Sequence, residues 1–291
     1  MNIIERFSKM VKWDKLLYSN EKQFEGINMK ISFIGMGNMA KAIAKGFVSS
    51  GKVSASDMYA YAPTREKLIN NSREIGFNAC DSASDAAEKG ELIIIACKPY
   101  QIKDVLNEIS PVLTGKALVS IAAGWTFDTF ADILGDKVRL QCIMPNTPAM
   151  VGEGVMLFEA KNSLNENESS YIKDIFAALG TVETLPTNLM GIGGAISGCG
   201  PAFMDLVMEA YADAAVKYGI GRETAYRLVS QTMLGSAKLQ QVTGDHPGVL
   251  KDAVCSPNGT TIRGVATLES CGLRNACISS IDTIMDFKKQ S

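Results

Sequence analysis

Apolar residues follow two regimes along the chain. From Lys30 to about Pro186 they come in short, partly β-branched runs, separated by segments whose apolar positions recur every three or four residues. This rhythm predicts βαβ units and a mostly parallel sheet. The runs predict strands at 30–34, 58–62, 77–80, 91–97, 116–122, 138–144 and 154–159. Leu92-Ile93-Ile94-Ile95-Ala96 has no polar alternation, as expected of a strand covered on both faces, which places it near the sheet centre. Intervening segments such as 38–50, 64–75 and 99–109 have helical spacing and meet Gly51, Gly76 or Pro111. Glycine accepts a left-handed cap and proline cannot continue the helical ladder, so these are helix ends.

After Pro186 the strand signal vanishes. Residues 201–218 read as a helix that opens at Pro201 and closes at Gly219, and helical patterns follow at 222–242, 247–254, 260–270 and 273–288. The fold class is therefore α/β: a Rossmann-type N-terminal domain over 29–186, then an all-α C-terminal dimerisation domain over 187–291. The 201–218 helix is apolar or small around most of its circumference, with only Asp205, Glu209, Asp213 and Lys217 as a polar stripe. A helix that apolar needs cover on more than one side, which predicts a homodimer through this domain and leaves assembly beyond the dimer open. Residues 1–28 mix Ile3, Ile4, Phe7, Met10 and Val11 with charges of both signs and stop short of Met29. They are expected to be a disordered or mis-started N-terminal extension.

Composition narrows the function. A chain of 291 residues with 46% hydrophobic and 21% charged residues has room for two folded cores. A formal charge of −2 without a Lys/Arg block gives no footprint for nucleic acid, and no unbroken apolar run reaches the length of a membrane span. Seven cysteines stand singly with no C-x-x-C pair, which fits reduced thiols in the cytoplasm rather than disulfides or a metal site.

Directly after the first strand comes Gly35-Met36-Gly37-Asn38-Met39-Ala40. Gly35 permits a tight turn, Gly37 lets backbone approach a pyrophosphate, and Ala40 lets helix and strand pack closely; this is the dinucleotide-binding arrangement. An NAD enzyme commonly ends its second strand with a carboxylate for the ribose hydroxyls, but here that strand runs into Tyr61-Ala62-Pro63-Thr64-Arg65. With Thr64 and Arg65 free to donate to a 2′-phosphate, NADPH is the expected cofactor and NADH the weaker alternative. The fourth strand closes at Ala96-Cys97-Lys98-Pro99 and the sixth at Met144-Pro145-Asn146-Thr147-Pro148, both at carboxyl ends where open parallel sheets bind ligands. The expected cofactor contacts are therefore Ile34, Gly35, Met36, Gly37, Asn38, Met39, Thr64, Arg65, Ala96, Cys97, Lys98, Pro99 and Asn146, with Asn146 beside the nicotinamide.

Two small-residue segments in the helical half lack an obvious folding reason. Ser197-Gly198-Cys199-Gly200-Pro201 leads into the long helix, and Ser256-Pro257-Asn258-Gly259-Thr260-Thr261 precedes a later one. The second is either a nest for a small carboxylate or a plain N-cap. The single histidine, His246, stands between Asp245 and Pro247 at a helix start and is read as a turn or capping residue.

In order along residues 30–287, FIGMGNMAKAI, ACKP, MPNTPA, SGCGPAF, DAAVKYG and HPGVLKDAVCSPNGTTIRGVATLE resemble the pyrroline-5-carboxylate reductases. That family more often has Ser and Gly where this chain has Cys199 and Asn258. The resemblance implies reduction of 1-pyrroline-5-carboxylate to L-proline, the last step of proline biosynthesis, by hydride from NADPH. It implies that Ser256, Asn258, Gly259, Thr260 and Thr261 surround the substrate, with Thr261 the catalytic hydroxyl at the ring nitrogen, and that helical domains pair across subunits. The alternatives are another two-domain NADP oxidoreductase of the β-hydroxyacid dehydrogenase kind and a non-enzymatic NADPH-binding regulator.

Overall fold

The structure, a computed structural model, describes residues 29–135 and 139–290. The expectation for 1–28 lies outside the described residues. The first half is a sheet flanked by helices: β1 (Ile31–Ile34), α1 (Asn38–Ser49), β2 (Met58–Tyr61), α2 (Arg65–Ile75), β3 (Asn78–Ala79), α3 (Ala83–Lys89), β4 (Leu92–Ile95), α4 (Ile102–Ile109), β5 (Ala117–Ser120), α5 (Phe127–Leu134), β6 (Arg139–Met144), β7 (Gly154–Glu159), α6 (Glu166–Ala177) and β8 (Gly180–Leu185). The strand order is β3-β2-β1-β4-β5-β6-β7-β8, parallel throughout except where β6 meets β7. The direction of winding reverses between β1 and β4, the switch point at which such sheets bind ligands.

Period-two alternation divides each strand between two cores. Ile31, Phe33, Leu92 and Ile94 face one layer with Ile43 and Phe47 of α1, Leu68 of α2 and Phe176 of α6. Ile93 and Ile95 face the other, with Ala83, Ala86 and Ala87 of α3, Leu106 of α4 and Phe130 of α5. Each large side chain buried this way contributes about 1.5–3 kcal/mol, which is why β4, apolar on both faces, takes a central place.

The seven expected strands are present, with 77–80 reduced to Asn78–Ala79 and the described part of 138–144 running Arg139–Met144. β8 is additional. Its sequence GTVETL is only half-buried on an outer edge, so it lacks the apolar run that marks the others. Gly180 holds a φ of +138°, and a Cβ there would lie 2.0 Å from the Gly154 carbonyl oxygen. Helix α6 begins in a capping box, Asn165 and Glu168 exchanging hydrogen bonds with each other's backbone N–H, and the Asn-x-x-Glu spacing is its sequence signal.

From Thr187 the described structure is helical. It comprises α7 (Thr187–Gly194), a π-helical turn (Ala195–Cys199), α8 (Gly200–Lys217), α9 (Arg222–Thr243), α10 (Pro247–Ala253), α11 (Thr260–Ser270) and α12 (Leu273–Gln290). Here the expectation of a helix beginning at Pro201 is corrected: Thr187–Lys217 is one continuous helix with Pro201 inside it. Proline is tolerated there because the π turn immediately before it relaxes the i→i−4 pattern that proline would otherwise break. By length and composition alone this helix is apolar enough to cross a membrane, unlike any single uninterrupted run in it. Its Met204, Leu206 and Tyr211 are exposed in the single chain, as are Tyr226, Leu228 and Leu234 of α9. A folded chain in water seldom leaves so broad an apolar face uncovered.

Candidate active site

The turn after β1 carries the local geometry expected of a phosphate cradle. Gly35 has φ +104°, and its N–H donates to the Tyr61 carbonyl at 2.8 Å. A Cβ at Gly35 would come within 2.6–2.7 Å of backbone atoms of Ala96 and Cys97, so β1 and β4 can end side by side only with glycine here. Gly37 is the N-cap of α1 with no side-chain cap, and the first turn of α1 carries no acid. The positive end of this helix is thus not neutralised by its own cap or first turn.

Two connected depressions run along the carboxyl ends of β1, β2 and β4. One, of about 530 Å³, is lined by Ile34, Gly35, Met36, Gly37, Tyr61, Ala62, Pro63, Thr64, Lys67, Leu68, Ala96, Cys97, Lys98, Gln101, Asp104, Val105 and Glu108. The other, of about 370 Å³, shares Gly37, Ala96, Cys97 and Lys98, and adds Asn38, Met39, Ala40, Ala42, Pro99, Ile121, Ala122, Ala123, Thr147 and Met150. Together they form one groove bent over Gly37, with a half on each side of the glycine turn. Cys97 is half-buried there, and burial pushes its thiol pKa up, so it stays a neutral wall residue.

Eleven of the thirteen expected cofactor residues line this groove; Arg65 and Asn146 do not. Arg65 turns toward the end of β3, donating to the Cys80 carbonyl at 2.7 Å and pairing with Asp81 at 2.9 Å. It starts α2 beside a strand end that only the tertiary fold places there. Lys67, two residues on, lines the groove instead. Asn146 is buried, with its carboxamide engaged inside the protein: Nδ2 donates to the Ser197 carbonyl at 2.9 Å and Oδ1 accepts from Val155 N–H at 2.8 Å. Its neighbour Thr147 takes the groove-lining position. Tyr61, Lys67, Gln101, Ala122, Thr147 and Met150 were missing from the sequence-based set. Tyr61 ends β2, and Ala122 and Thr147 closely follow β5 and β6, so the carboxyl-end rule reaches these three; Lys67, Gln101 and Met150 lie further beyond their strands.

In the helical half, Ser256–Thr261 forms the compact turn anticipated. Gly259 N–H donates to the Ser256 carbonyl at 3.0 Å, and a Cβ at Gly259 would stand 2.4 Å from Ser256 Oγ. The N-cap of α11 is Gly259, which has no side chain, so no serine or threonine occupies the capping position itself. Asn258 has φ +59°, the left-handed conformation that asparagine and glycine tolerate, which explains an asparagine at a position where glycine is common. Arg263 Nη2 donates to Asn258 Oδ1 at 2.6 Å. His246 caps α10, its Nδ1 accepting from Gly248 N–H at 3.0 Å, as expected. The Ser256–Thr261 turn is mostly exposed, and none of its residues lines the groove of the same chain. Within one chain the groove and this turn share no lining residue.

Comparisons with known proteins cover both halves. Residues 187–291 match the family model "Pyrroline-5-carboxylate reductase dimerisation", and residues 30–124 match "NADP oxidoreductase coenzyme F420-dependent". The pyrroline-5-carboxylate reductase of Treponema pallidum is 39% identical over 257 residues, 87% of this chain and 97% of that protein. The Escherichia coli enzyme is 39% identical over 258 residues, 88% of this chain and 96% of that protein. Among solved structures, the Plasmodium falciparum pyrroline carboxylate reductase with NADP bound superposes with a TM-score of 0.82 at 30% identity, covering 91% of this chain and 99% of that one.

Proposed function

The chain belongs to the pyrroline-5-carboxylate reductase family and reduces 1-pyrroline-5-carboxylate to L-proline with NAD(P)H, the last step of proline biosynthesis, and we propose that it does so in a site completed by a second subunit. The rival of a β-hydroxyacid dehydrogenase falls away because the family match spans the helical half, where such an enzyme would differ. The observation that carries the composite site is the separation within one chain: the glycine-turn groove lies in the first domain, and the uncapped Ser256–Thr261 turn stands exposed on the second. The helical domain forms the dimer, and its exposed apolar faces on α8 and α9 are the surfaces that pairing would cover. Seven unpaired cysteines suit a reducing cytoplasm.

The groove fits a dinucleotide on its own features: a turn only glycine can make, open space over Gly37, and a helix start free of acids and side-chain caps. In this reading the N–H groups from Gly37 to Met39 hold the pyrophosphate. Thr64 and Lys67, which line the groove where Arg65 does not, would hold the 2′-phosphate and so favour NADPH over NADH. Ile34, Met36 and Ala96–Pro99 wall the groove.

NADPH when bound supplies the hydride. The chain's residues supply position and a proton path. Ser256, Asn258, Gly259 and Thr260 hold the substrate carboxylate against the start of α11, whose dipole favours an anion. Thr261 would donate a hydrogen bond from its hydroxyl to the ring nitrogen and relay a proton from solvent water to it, its own hydroxyl proton being replaced from that water. Holding two reactants at contact distance is worth about 7–11 kcal/mol, so no strong acid is required of the chain.

The direct test is oxidation of NADPH by the purified protein with pyrroline-5-carboxylate, repeated with NADH; no turnover with either would overturn the assignment. The shared site is tested by mixing subunits. A Gly37→Val chain and a Thr261→Ala chain, each weak alone, should regain activity when co-expressed, since half of the mixed dimer's sites then carry neither change. Additive inactivity of the mixture would place both halves of the site in one subunit.

A further inference from the structure

The junction between the two domains is held by hydrogen bonds that the mechanism above does not use. Buried Glu159, at the end of β7, accepts from Phe127 N–H at the start of α5 (2.8 Å) and from the Thr187 hydroxyl at the start of α7 (2.6 Å). Ten residues further along the helix, Asn146 Nδ2 donates to the Ser197 carbonyl at 2.9 Å. Between these two pins the helix lies hard against the sheet. A Cβ at Gly193 would stand 2.5 Å from Leu185 Cδ1, and one at Gly194 would stand 2.3 Å from Met144 Sδ.

Ser197 is four residues before Pro201, and in an α-helix its carbonyl would accept from the N–H of residue 201. Proline has no such N–H. The donor reaching that oxygen comes instead from the Asn146 side chain, out of the loop that closes β6. The same carboxamide fixes the start of β7 through Val155 N–H at 2.8 Å. Thr147, the next residue, lines the half of the groove that opens beyond Gly37.

We propose that Asn146 is a positioning residue that replaces the backbone donor missing at Pro201, and so locks the π turn of the interdomain helix to the floor of the cofactor groove. The pin sets where the helical domain stands relative to that groove, and hence how the dimer's substrate turn meets the hydride donor. This rests on the pyrroline-5-carboxylate reductase reading of the site. Hydride transfer requires reacting atoms about 3–3.5 Å apart, and a displacement of about 1 Å from a remote change can cost about 100-fold in rate. A loosened pin should therefore lower kcat far more than it raises the KM for NADPH, whose groove lies wholly in the first domain.

The test is a double-mutant cycle on the intact dimer with Asn146→Ala, Pro201→Ala and both together. Asn146→Ala should lower kcat by about 10- to 100-fold with the KM for NADPH within about twofold, while Pro201→Ala alone stays within about threefold of wild type. In the double variant the new N–H at position 201 can reach the Ser197 carbonyl, and the loss caused by Asn146→Ala should shrink to about threefold or less. The loss of the Val155 contact is common to both backgrounds and cancels. If Asn146→Ala does not fold, Asn146→Asp, which keeps an acceptor for Val155 but lacks the donor, is compared in the same two backgrounds. An equal loss in the wild-type and Pro201→Ala backgrounds overturns the proposal. Should wild type fail to reduce pyrroline-5-carboxylate, the functional reading falls by itself; the cycle is then read in melting temperatures, where equal shifts overturn the pin and a smaller shift in the Pro201→Ala background supports it.

Discussion

Gly35 and Gly37 belong to one motif, but the structure gives them opposite consequences on substitution. At Gly35, alanine would meet a φ of +104° and place its methyl 2.6 Å from Cys97 N and 2.7 Å from the Ala96 carbonyl group. Left-handed strain of about 1–2 kcal/mol adds to overpacking of about 1–3 kcal/mol, for a total of roughly 2–5 kcal/mol. The neighbours are main-chain atoms just past the end of β4 and cannot swing aside as a side chain could. For a domain of this size that corresponds to a fall in melting temperature of roughly 4–20 °C. At Gly37, φ is −79° and no atom lies within 4 Å of a built Cβ, so alanine should change stability by no more than about 0.5 kcal/mol. Its methyl would instead stand over the helix start where phosphates must approach. Losing one charge-assisted hydrogen bond, about 1.5–3 kcal/mol, weakens NADPH binding about 10- to 150-fold. Thermal melts with and without NADPH separate the two effects. At a concentration of about 100 times the wild-type Kd the cofactor stabilises by about 2.7 kcal/mol, and a roughly 100-fold weaker Kd reduces this to about 0.4 kcal/mol. Gly35→Ala should melt early even without cofactor; Gly37→Ala should melt normally and lose the NADPH shift. The reasoning is refuted if Gly37→Ala binds NADPH within twofold of wild type, or if Gly35→Ala melts with wild type.

Lys67→Ala should raise the KM for NADPH about tenfold and leave that for NADH unchanged, while Arg65→Ala changes neither appreciably, as steady-state kinetics with both cofactors will show. Thr261→Ala should lower turnover by about tenfold to a thousandfold, the range for one lost transition-state hydrogen bond, and wild-type turnover in that variant would remove Thr261 from the mechanism. Glu74 lies between Lys41 and Lys45, whose ammonium groups hold its carboxyl down to about 2 from an ordinary 4.5, the Lys41 hydrogen bond being the larger cause. Because the folded value is the lower one, the stabilisation is present above pH 4.5 and fades as pH falls toward 2. The melting difference between wild type and Glu74→Gln should shrink over that window and with added salt, the group being exposed; a difference growing toward low pH would contradict the pairing.

Much of this protein was legible from residue order alone. Apolar periodicity located the seven expected strands and separated an α/β half from a helical one, because a strand covered on both faces and a helix with one apolar stripe leave different spacings. The glycine turn was legible for a similar reason, since its conformation is a local property that only glycine supplies. β8 escaped because an edge strand needs little apolar content. The unbroken Thr187–Lys217 helix escaped because Pro201 reads locally as a helix start, and only packing against the sheet forms the π turn that admits it.

The direction of side chains was decided by tertiary structure. Arg65 was expected in the groove and Lys67 was not, but the end of β3 supplies a carbonyl and a carboxylate that draw Arg65 away. Asn146 sits where the motif suggested, yet its carboxamide is taken by Ser197 and Val155, partners 51 and 9 residues distant in sequence. Residue order fixes what a backbone can do within a few positions. Which donor meets which acceptor depends on segments brought together by the collapse of both cores, and no local pattern encodes that.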